Sequence, residues 1–174
     1  GNGASLCALR DRHSVATTMG FTALDGLMMG RRSGRIDPGV LLYLLQQRQM
    51  TAAAVEDLLY NRSGLLGVSG ISDDLRILEA SGDPHAEEAM DLFAYCASSE
   101  IAAMAAALEG LDVLVFSAGI GEHSTQMRRR ICDYSAWLGI ALDAEANERH
   151  GPRISAPGSR VDVFVIPTDE EIAV

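Results

Sequence analysis

Three glycine-bearing turns are the segments of this sequence best suited to binding an anion. They are Gly1-Asn2-Gly3, the stretch from Ser69 to Arg76, and Gly119-Ile120-Gly121. Glycine lets backbone N–H groups approach an anion closely, and a helix that begins beyond the turn adds favourable partial charge. A single turn of this kind is more often an ordinary loop. The third turn follows an apolar strand pattern, where ligands of α/β proteins bind, and is the best placed of the three.

Arginine supplies all of the strongly basic charge. All fourteen Lys+Arg residues are arginine, which excludes P-loop enzymes, protein kinases and Schiff-base enzymes because each needs a lysine. Guanidinium groups can stabilise a phosphoryl group during transfer. Arg32 lies between Gly30 and Gly34, where the chain can bend to aim it, although a solvated loop arginine is an equally good interpretation. The run Arg128-Arg129-Arg130 predicts a solvated helix face.

Acidic residues provide candidate metal ligands and helix caps. Glu170 and Glu171 follow a strand pattern directly, where a carboxylate can hold Mg²⁺, although acidic residues also favour the first turn of any helix. Of Asp73 and Asp74, one is expected to cap the helix before Leu75.

Composition narrows the class of protein. The 174 residues carry 14 basic and 24 acidic side chains, a net charge of −10, which argues against a nucleic-acid partner. The three cysteines form no C-x-x-C pair, so neither a zinc site nor a disulfide framework is indicated, and a cytoplasmic location fits best. The most apolar stretch, residues 101–108, is too short to span a bilayer, so no membrane partner is expected. Because the sequence starts inside a glycine loop, we expect it to be part of a longer protein.

Apolar spacing and capping residues predict alternating helices and strands. We expect a hairpin over residues 5–18, an ordered loop over residues 20–37, a strand over residues 111–117 and another over residues 161–166. Helices are expected to begin after these caps: Asp37, Thr51, Ser72 or Asp73, Asp83, Ser124, and Thr168 or Asp169. The second helix should stop at Ser63-Gly64 and the longest at Gly110. This order predicts one α/β domain with a mixed sheet flanked by helices.

Taken in order, these segments resemble the acetate kinases, the acetokinase family within the acetate and sugar kinase, Hsp70 and actin superfamily. The resemblance extends over almost the whole chain and rests on the following segments: Gly1-Asn2-Gly3, residues 19–22, residues 26–34, Asp37-Pro38, residues 69–76, residues 116–122 and residues 166–171. It implies a ribonuclease H-like, actin ATPase-type fold. Residues 1–174 would be the C-terminal, nucleotide-binding domain, with the N-terminal domain absent.

The resemblance also implies an activity, the reversible transfer of the γ-phosphoryl group of ATP to acetate, giving acetyl phosphate and ADP with Mg²⁺, in a homodimer. Arg32 matches the catalytic arginine that stabilises the transition state, and Glu170 matches the Mg²⁺ partner. The family's contacts to ATP or ADP match Gly1, Asn2, Gly3, Asp74, Leu75, Arg76, Gly119, Ile120, Gly121, Glu122 and His123.

Two residues depart from the family pattern. Position 123 is His where Asn is common, and Arg35 stands where an acidic residue is usual, which predicts extra positive charge near Arg32. Two other functions stay open: a propionate or butyrate kinase, because the missing half supplies most of the substrate pocket, and a non-catalytic nucleotide-binding module. The chain alone is expected to bind nucleotide weakly and to turn over acetate negligibly.

Overall fold

The structure, a computed structural model, describes residues 3–168. The chain divides into two compact units, with the division between Glu100 and Ile101. The expected α/β class is confirmed. The strands of the described residues form two separate two-stranded sheets, one antiparallel and one parallel.

The first unit opens with the predicted hairpin. Strand β1 (Cys7–Arg10) pairs antiparallel with β2 (His13–Thr17). Asp11 and Arg12 form the tight turn with φ of 53° and 64°, the left-handed conformation that two-residue hairpin turns need. Five helices follow the loop at residues 20–37: α1 (Pro38–Gln46), α2 (Ala52–Asn61), α3 (Gly64–Ser69), α4 (Leu75–Ser81) and α5 (Pro84–Leu108).

Most of the predicted caps in this unit are in place. The side chain of Asp37 accepts a hydrogen bond from the Gly39 amide, and that of Thr51 accepts one from Ala54. The cap of α4 is Asp74, which accepts from the Arg76 amide. This confirms that one of Asp73 and Asp74 caps the helix before Leu75, whereas the prediction of Ser72 or Asp73 as its cap is wrong. Helix α3 was not predicted, because Gly64 was interpreted as the end of α2. Glycine usually stops a helix, yet here, at φ 62°, it begins the next one.

Helix α5 is the longest helix of the described residues, and its buried residues recur mostly at intervals of three and four. Its apolar residues with at most 6% exposure are Ala86, Ala89, Met90, Phe93, Ala94, Ala97, Ile101 and Ala105. The helix ends at Leu108, two residues before the expected stop at Gly110. Its 25 residues make it long and apolar enough to cross a bilayer by length and composition, a test that a core helix also passes.

The second unit places two chain turns at one sheet edge. Strand β3 (Val113–Phe116) pairs in parallel with β4 (Asp162–Val165), so that Phe116 lies beside Val165. Between the strands lie α6 (Ala118–His123), α7 (Thr125–Tyr134), a 3₁₀ turn (Ala136–Leu138) and α8 (Ala144–Glu148). Ser124 caps α7 as expected. Because carboxyl ends of parallel strands share an edge, the glycine turn after β3 and the segment after β4 leave the sheet together.

Candidate functional site

The segment from residue 26 to residue 35, here called the arginine loop, has no regular secondary structure but is firmly anchored. The Arg35 amide donates to the Gly26 carbonyl oxygen over 2.9 Å and closes the loop. Three consecutive side chains are at most 6% exposed, namely Leu27, Met28 and Met29. They fix the loop to the core, so that the arginines after them start from a rigid base.

Backbone hydrogen bonds join the arginine loop to α2 and α3. The Ser33 amide donates to the Leu59 carbonyl oxygen of α2 over 3.0 Å. Amides at the start of α3 donate back to the loop, each over 2.9 Å: Ser63 to Arg31, Leu65 to Met29 and Leu66 to Gly30. Loop carbonyls therefore satisfy helical N–H groups that would otherwise lack a partner.

The three arginines of this loop have different partners. Arg31 Nε lies 2.6 Å from Asp73 Oδ2, and Arg35 Nη1 lies 2.8 Å from Glu100 Oε1. Arg32, in contrast, donates from Nη1 to the Ala23 carbonyl oxygen over 3.1 Å and contacts the Met29 sulfur at 3.8 Å. Within residues 3–168, Arg32 pairs with no carboxylate. It is the half-buried arginine of the loop, and in the described part of the chain its Nη1 contacts only neutral acceptors.

The pair between Arg35 and Glu100 changes one expectation. Arg35 was expected to make the surroundings of Arg32 more positive. Glu100 neutralises it instead, with a carboxylate that is only 12% exposed. The other carboxylate oxygen, Oε2, is buried without a hydrogen-bond partner in the described part of the chain. The charge at position 35 is therefore compensated locally.

Gly3, the described residue of the first glycine turn, lies next to Arg32. A Cβ atom placed on Gly3 would be 3.9 Å from Arg32 Nη1, so the structure brings these two predicted site residues together. Gly1 and Asn2 lie outside the described residues, and their expected nucleotide contacts stay predictions.

The turn after α3 leads to three further residues expected to contact nucleotide, Asp74, Leu75 and Arg76. Asp74 Oδ2 lies 2.5 Å from Arg76 Nη2, and the Arg76 side chain is 86% exposed. The hydrogen bond from Arg76 lowers the pKa of the Asp74 carboxyl, and that from Arg31 lowers the pKa of Asp73. Leu75, the third expected contact, is buried, so its side chain belongs to the core.

An open groove of about 690 Å³ runs beside this turn. It is lined by Ile71, Asp74, Arg76, Ile77, Ala80 and Ser81. Aliphatic walls with a charged pair at one end can take a flat, largely apolar ring with a polar substituent. A nucleoside has that chemistry, since its base can lie on the apolar wall and its ribose hydroxyls can face the charges.

In the second unit, the predicted glycine turn forms the short helix α6. Gly119 has φ 1° and ψ −100°, a conformation outside the helical region, and a Cβ added there would meet nothing within 4 Å. Gly121 lies against Phe116, with its Cβ position 3.4 Å from the Phe116 carbonyl carbon. His123 is exposed, whereas Ile120 is partly covered. The open side of this turn is thus at Gly119.

Glu122 ties the glycine turn to the end of β4. Its Oε1 accepts hydrogen bonds from the Ala118 amide at 2.6 Å and from the amide and hydroxyl of Thr168, both at 2.8 Å. These bonds, the two from Thr168 first, lower the pKa of the Glu122 carboxyl. Glu122 thus holds together the two segments that leave the sheet edge.

Glu170, the expected Mg²⁺ partner, lies outside the described residues. Within residues 3–168, no group of three or more His, Cys, Asp or Glu side chains is placed to hold a metal ion. Magnesium therefore stays a prediction from the sequence.

Arg128 corrects the interpretation of the three-arginine run as a solvated face, and it is a residue that sequence reasoning missed. Its side chain is fully buried (0% exposed) on α7. Nη1 donates to the carbonyl oxygens of Gly121 and Glu122 at 2.8 and 2.9 Å, and Nε donates to Asn147 Oδ1 at 2.8 Å. Position 128 lies three or four residues from the buried Ser124, Ile131 and Cys132, a helical spacing that could have placed it inside.

Known proteins resemble this chain along its whole length. It is 60% identical over 176 residues to the acetate kinase of Rhodopseudomonas palustris strain TIE-1, and 54% identical over 174 residues to that of Nitrobacter hamburgensis. Both comparisons cover 100% of this chain but only 44% and 43% of the relatives. The chain thus spans less than half the length of these curated relatives.

Solved structures agree with this result. The crystal structure of Porphyromonas gingivalis acetate kinase matches with a TM-score of 0.91 at 42% identity, over 98% of this chain and 44% of that chain. A propionate kinase from Francisella tularensis matches with a TM-score of 0.93 at 36% identity, over 98% of this chain and 45% of that chain. The model of the acetokinase family matches residues 1–174. On these grounds the chain belongs to the acetokinase family.

Proposed function

We propose that the protein containing this chain transfers the γ-phosphoryl group of ATP reversibly to acetate, giving acetyl phosphate and ADP. Family membership and the acetate kinases among its relatives support the proposal. The observation that carries it is the partner pattern of the arginine loop. Arg31 and Arg35 are neutralised by carboxylates, whereas Arg32 donates only to neutral acceptors among the described residues.

The chemistry is an in-line displacement at phosphorus. A carboxylate oxygen of acetate forms a bond to the γ-phosphorus, the bond to the bridging oxygen breaks, and its electron pair leaves with ADP. No general base is needed, since a carboxylic acid with a pKa of about 4 is already ionised at neutral pH. The protein's task is to position the reactants and to stabilise charge on the transferring group.

Arg32 supplies that stabilising charge. Its loop is fixed by buried side chains and by bonds to α2 and α3, so little reorganisation is required when charge develops on the phosphoryl oxygens. Gly3, beside its guanidinium, leaves room for an anion to approach.

Each unit carries residues that we assign to nucleotide binding, considered separately. The groove beside Asp74 and Arg76 takes the adenosine, and the turn from Gly119 to His123 contacts the nucleotide through its backbone. ATP supplies the phosphoryl group and Mg²⁺ would neutralise part of its charge. No step is assigned to the metal, because Glu170 lies outside the described residues.

Two further properties are part of the proposal. The protein acts as a cytoplasmic homodimer, supported by the family resemblance and by the three cysteines, all free thiols. Its net charge of −10 supports small-molecule rather than nucleic-acid partners.

Propionate is the second candidate acceptor, because one structural relative is a propionate kinase. Comparing kcat/KM for acetate, propionate and butyrate on the full-length protein separates the two. A preference of about tenfold or more for propionate would replace acetate in the proposal, since one methylene in a pocket changes selectivity by this order.

The test of the reaction is Arg32→Ala in the full-length protein, with acetyl phosphate trapped as the hydroxamate. We expect kcat to fall by about 10³-fold, as when a stabilising arginine is removed from a phosphoryl-transfer site, with little change in ATP affinity. Arg48→Ala, at an exposed position after α1, is the control. Turnover within a few-fold of the unaltered protein would refute the role. ATP-dependent melting without any transfer would favour a non-catalytic nucleotide-binding module.

A further inference from the structure

Arg128 makes a buried network beneath the glycine turn that the reaction described above does not use. Four of its N–H groups donate to oxygens, namely Gly121 O, Glu122 O, Asn147 Oδ1 and Asn147 O. No carboxylate is among these partners. Burial lowers the pKa of this guanidinium, which nevertheless stays charged because arginine titrates far above neutral pH.

We propose that Arg128 is a positioning residue that fixes the glycine turn in the orientation needed to bind the nucleotide. The proposal rests on the proposed function. Nη1 binds two consecutive carbonyl oxygens, those of Gly121 and Glu122, at 2.8 and 2.9 Å. Peptide groups are planar, so fixing two adjoining carbonyls fixes the N–H groups of the same two planes, those of residues 122 and 123.

The shape of the guanidinium explains why arginine is needed here. While Nη1 binds the glycine turn, Nε and Nη2 bind Asn147 Oδ1 and the Asn147 carbonyl oxygen at 2.8 and 3.1 Å. Asn147 is itself fully buried and donates from Nδ2 to the Thr125 carbonyl oxygen at 2.9 Å. The turn is therefore anchored to α7 and α8. A lysine ammonium donates from a single atom and cannot reach both sides.

His150 supports the same peptide. Its Nδ1 lies 2.9 Å from the Glu122 carbonyl oxygen and 3.3 Å from Arg128 Nη2. The ring is exposed, so its removal disturbs no core packing. His150→Ala therefore weakens the hold on the turn without emptying the buried site.

The test compares Arg128→Lys and His150→Ala in the full-length protein, with Arg129→Met as the matched control. Arg129 is the next residue of α7, but it is exposed and pairs with Glu148. Three quantities are measured: the KM for ATP, the KM for acetate, and the Kd for ADP by calorimetry. Amide hydrogen exchange is followed in peptides covering residues 118–124.

We expect the ADP Kd and the ATP KM to rise about tenfold or more in Arg128→Lys, because that variant loses several hydrogen bonds from a charged group. In His150→Ala, which loses one hydrogen bond, we expect both to rise about threefold. The acetate KM should stay unchanged, exchange should accelerate in residues 118–124, and Arg129→Met should match the unaltered protein. If Arg128→Lys does not fold, His150→Ala decides alone.

Unchanged exchange at residues 118–124, or faster exchange with unchanged ADP affinity, would overturn the positioning role. An equal rise in both KM values would also overturn it, since that result indicates a general structural effect. If the unaltered protein transferred no phosphoryl group, the proposed function would be refuted. Arg128 would still be judged by exchange rates and ADP affinity, neither of which needs turnover.

Discussion

Replacing Gly64 with alanine should move the arginine loop and impair phosphoryl transfer. Gly64 has φ 62° and begins α3 directly under the loop. A methyl group there would overlap the Met29 carbonyl oxygen and lie 2.8 Å from the Arg32 carbonyl oxygen, well inside ordinary contact distance. The left-handed conformation costs a non-glycine residue about 1–2 kcal/mol, and the overlap adds to that cost unless the loop shifts.

We expect the loop to shift, because residues 26–35 have no regular secondary structure, whereas Gly64 is the first residue of the helix α3. A displacement of Arg32 by about 1 Å would lower kcat on the order of 10²-fold. Gly82→Ala is the matched control, since Gly82 has φ 65° but open space around its Cβ position. Gly82→Ala therefore has the same backbone strain as Gly64→Ala, but its methyl group overlaps no other atom. The full-length variants are compared by hydroxamate assay and thermal melting. If both variants had the same kcat, the overlap would have no effect on the site, and the role assigned to the rigid loop would be refuted.

Two further predictions concern groups with shifted pKa values. Burial raises the pKa of the Cys132 thiol to about 12, whereas Cys7 is exposed, so a thiol reagent at pH 8 should label Cys7 in the native protein and Cys132 only after unfolding. Peptide mass spectrometry checks this, and rapid native labelling of Cys132 would contradict it. The pKa of Glu122 is lowered from its usual 4.5, so the stability it contributes is present above pH 4.5 and is lost as the pH falls through the lowered value. Glu122→Gln should therefore melt at lower temperature than the unaltered protein at pH 7, with a difference that shrinks below pH 4.5. Glu56→Gln, on the exposed face of α2, should show no such trend, and a constant difference for Glu122→Gln would count against the bonds to Thr168.

Local signals in the sequence predicted much of the fold. Asp37, Thr51 and Ser124 cap helices as expected, because capping depends on an oxygen and an amide two or three residues apart. The apolar run before the glycine turn became β3 for a similarly local reason. Arg32 was identified from flanking glycines and from the family resemblance.

Contacts between distant residues were the part that the sequence could not provide. Asp73 was one of the alternative caps of α4, but Arg31, 42 positions earlier, binds its carboxylate. Arg35, in the arginine loop, pairs with Glu100 on α5, which no spacing rule indicates. Arg128 is a different case. Its spacing along the helix predicts a buried position, whereas its charge predicts an exposed one. A buried arginine is unusual unless its donors are satisfied, and here the acceptors come from the glycine turn and from α8.

The pairing of Arg35 with Glu100 limits which substitutions this protein can accept at positions 35 and 100. An acidic side chain at position 35 would face a carboxylate that is 12% exposed, so two negative charges would meet with little solvent between them. A lineage that exchanges one of these residues should therefore exchange the other, or carry a neutral side chain at one position as an intermediate. Chimaeras between relatives that divide the chain between positions 35 and 100 would inherit mismatched partners.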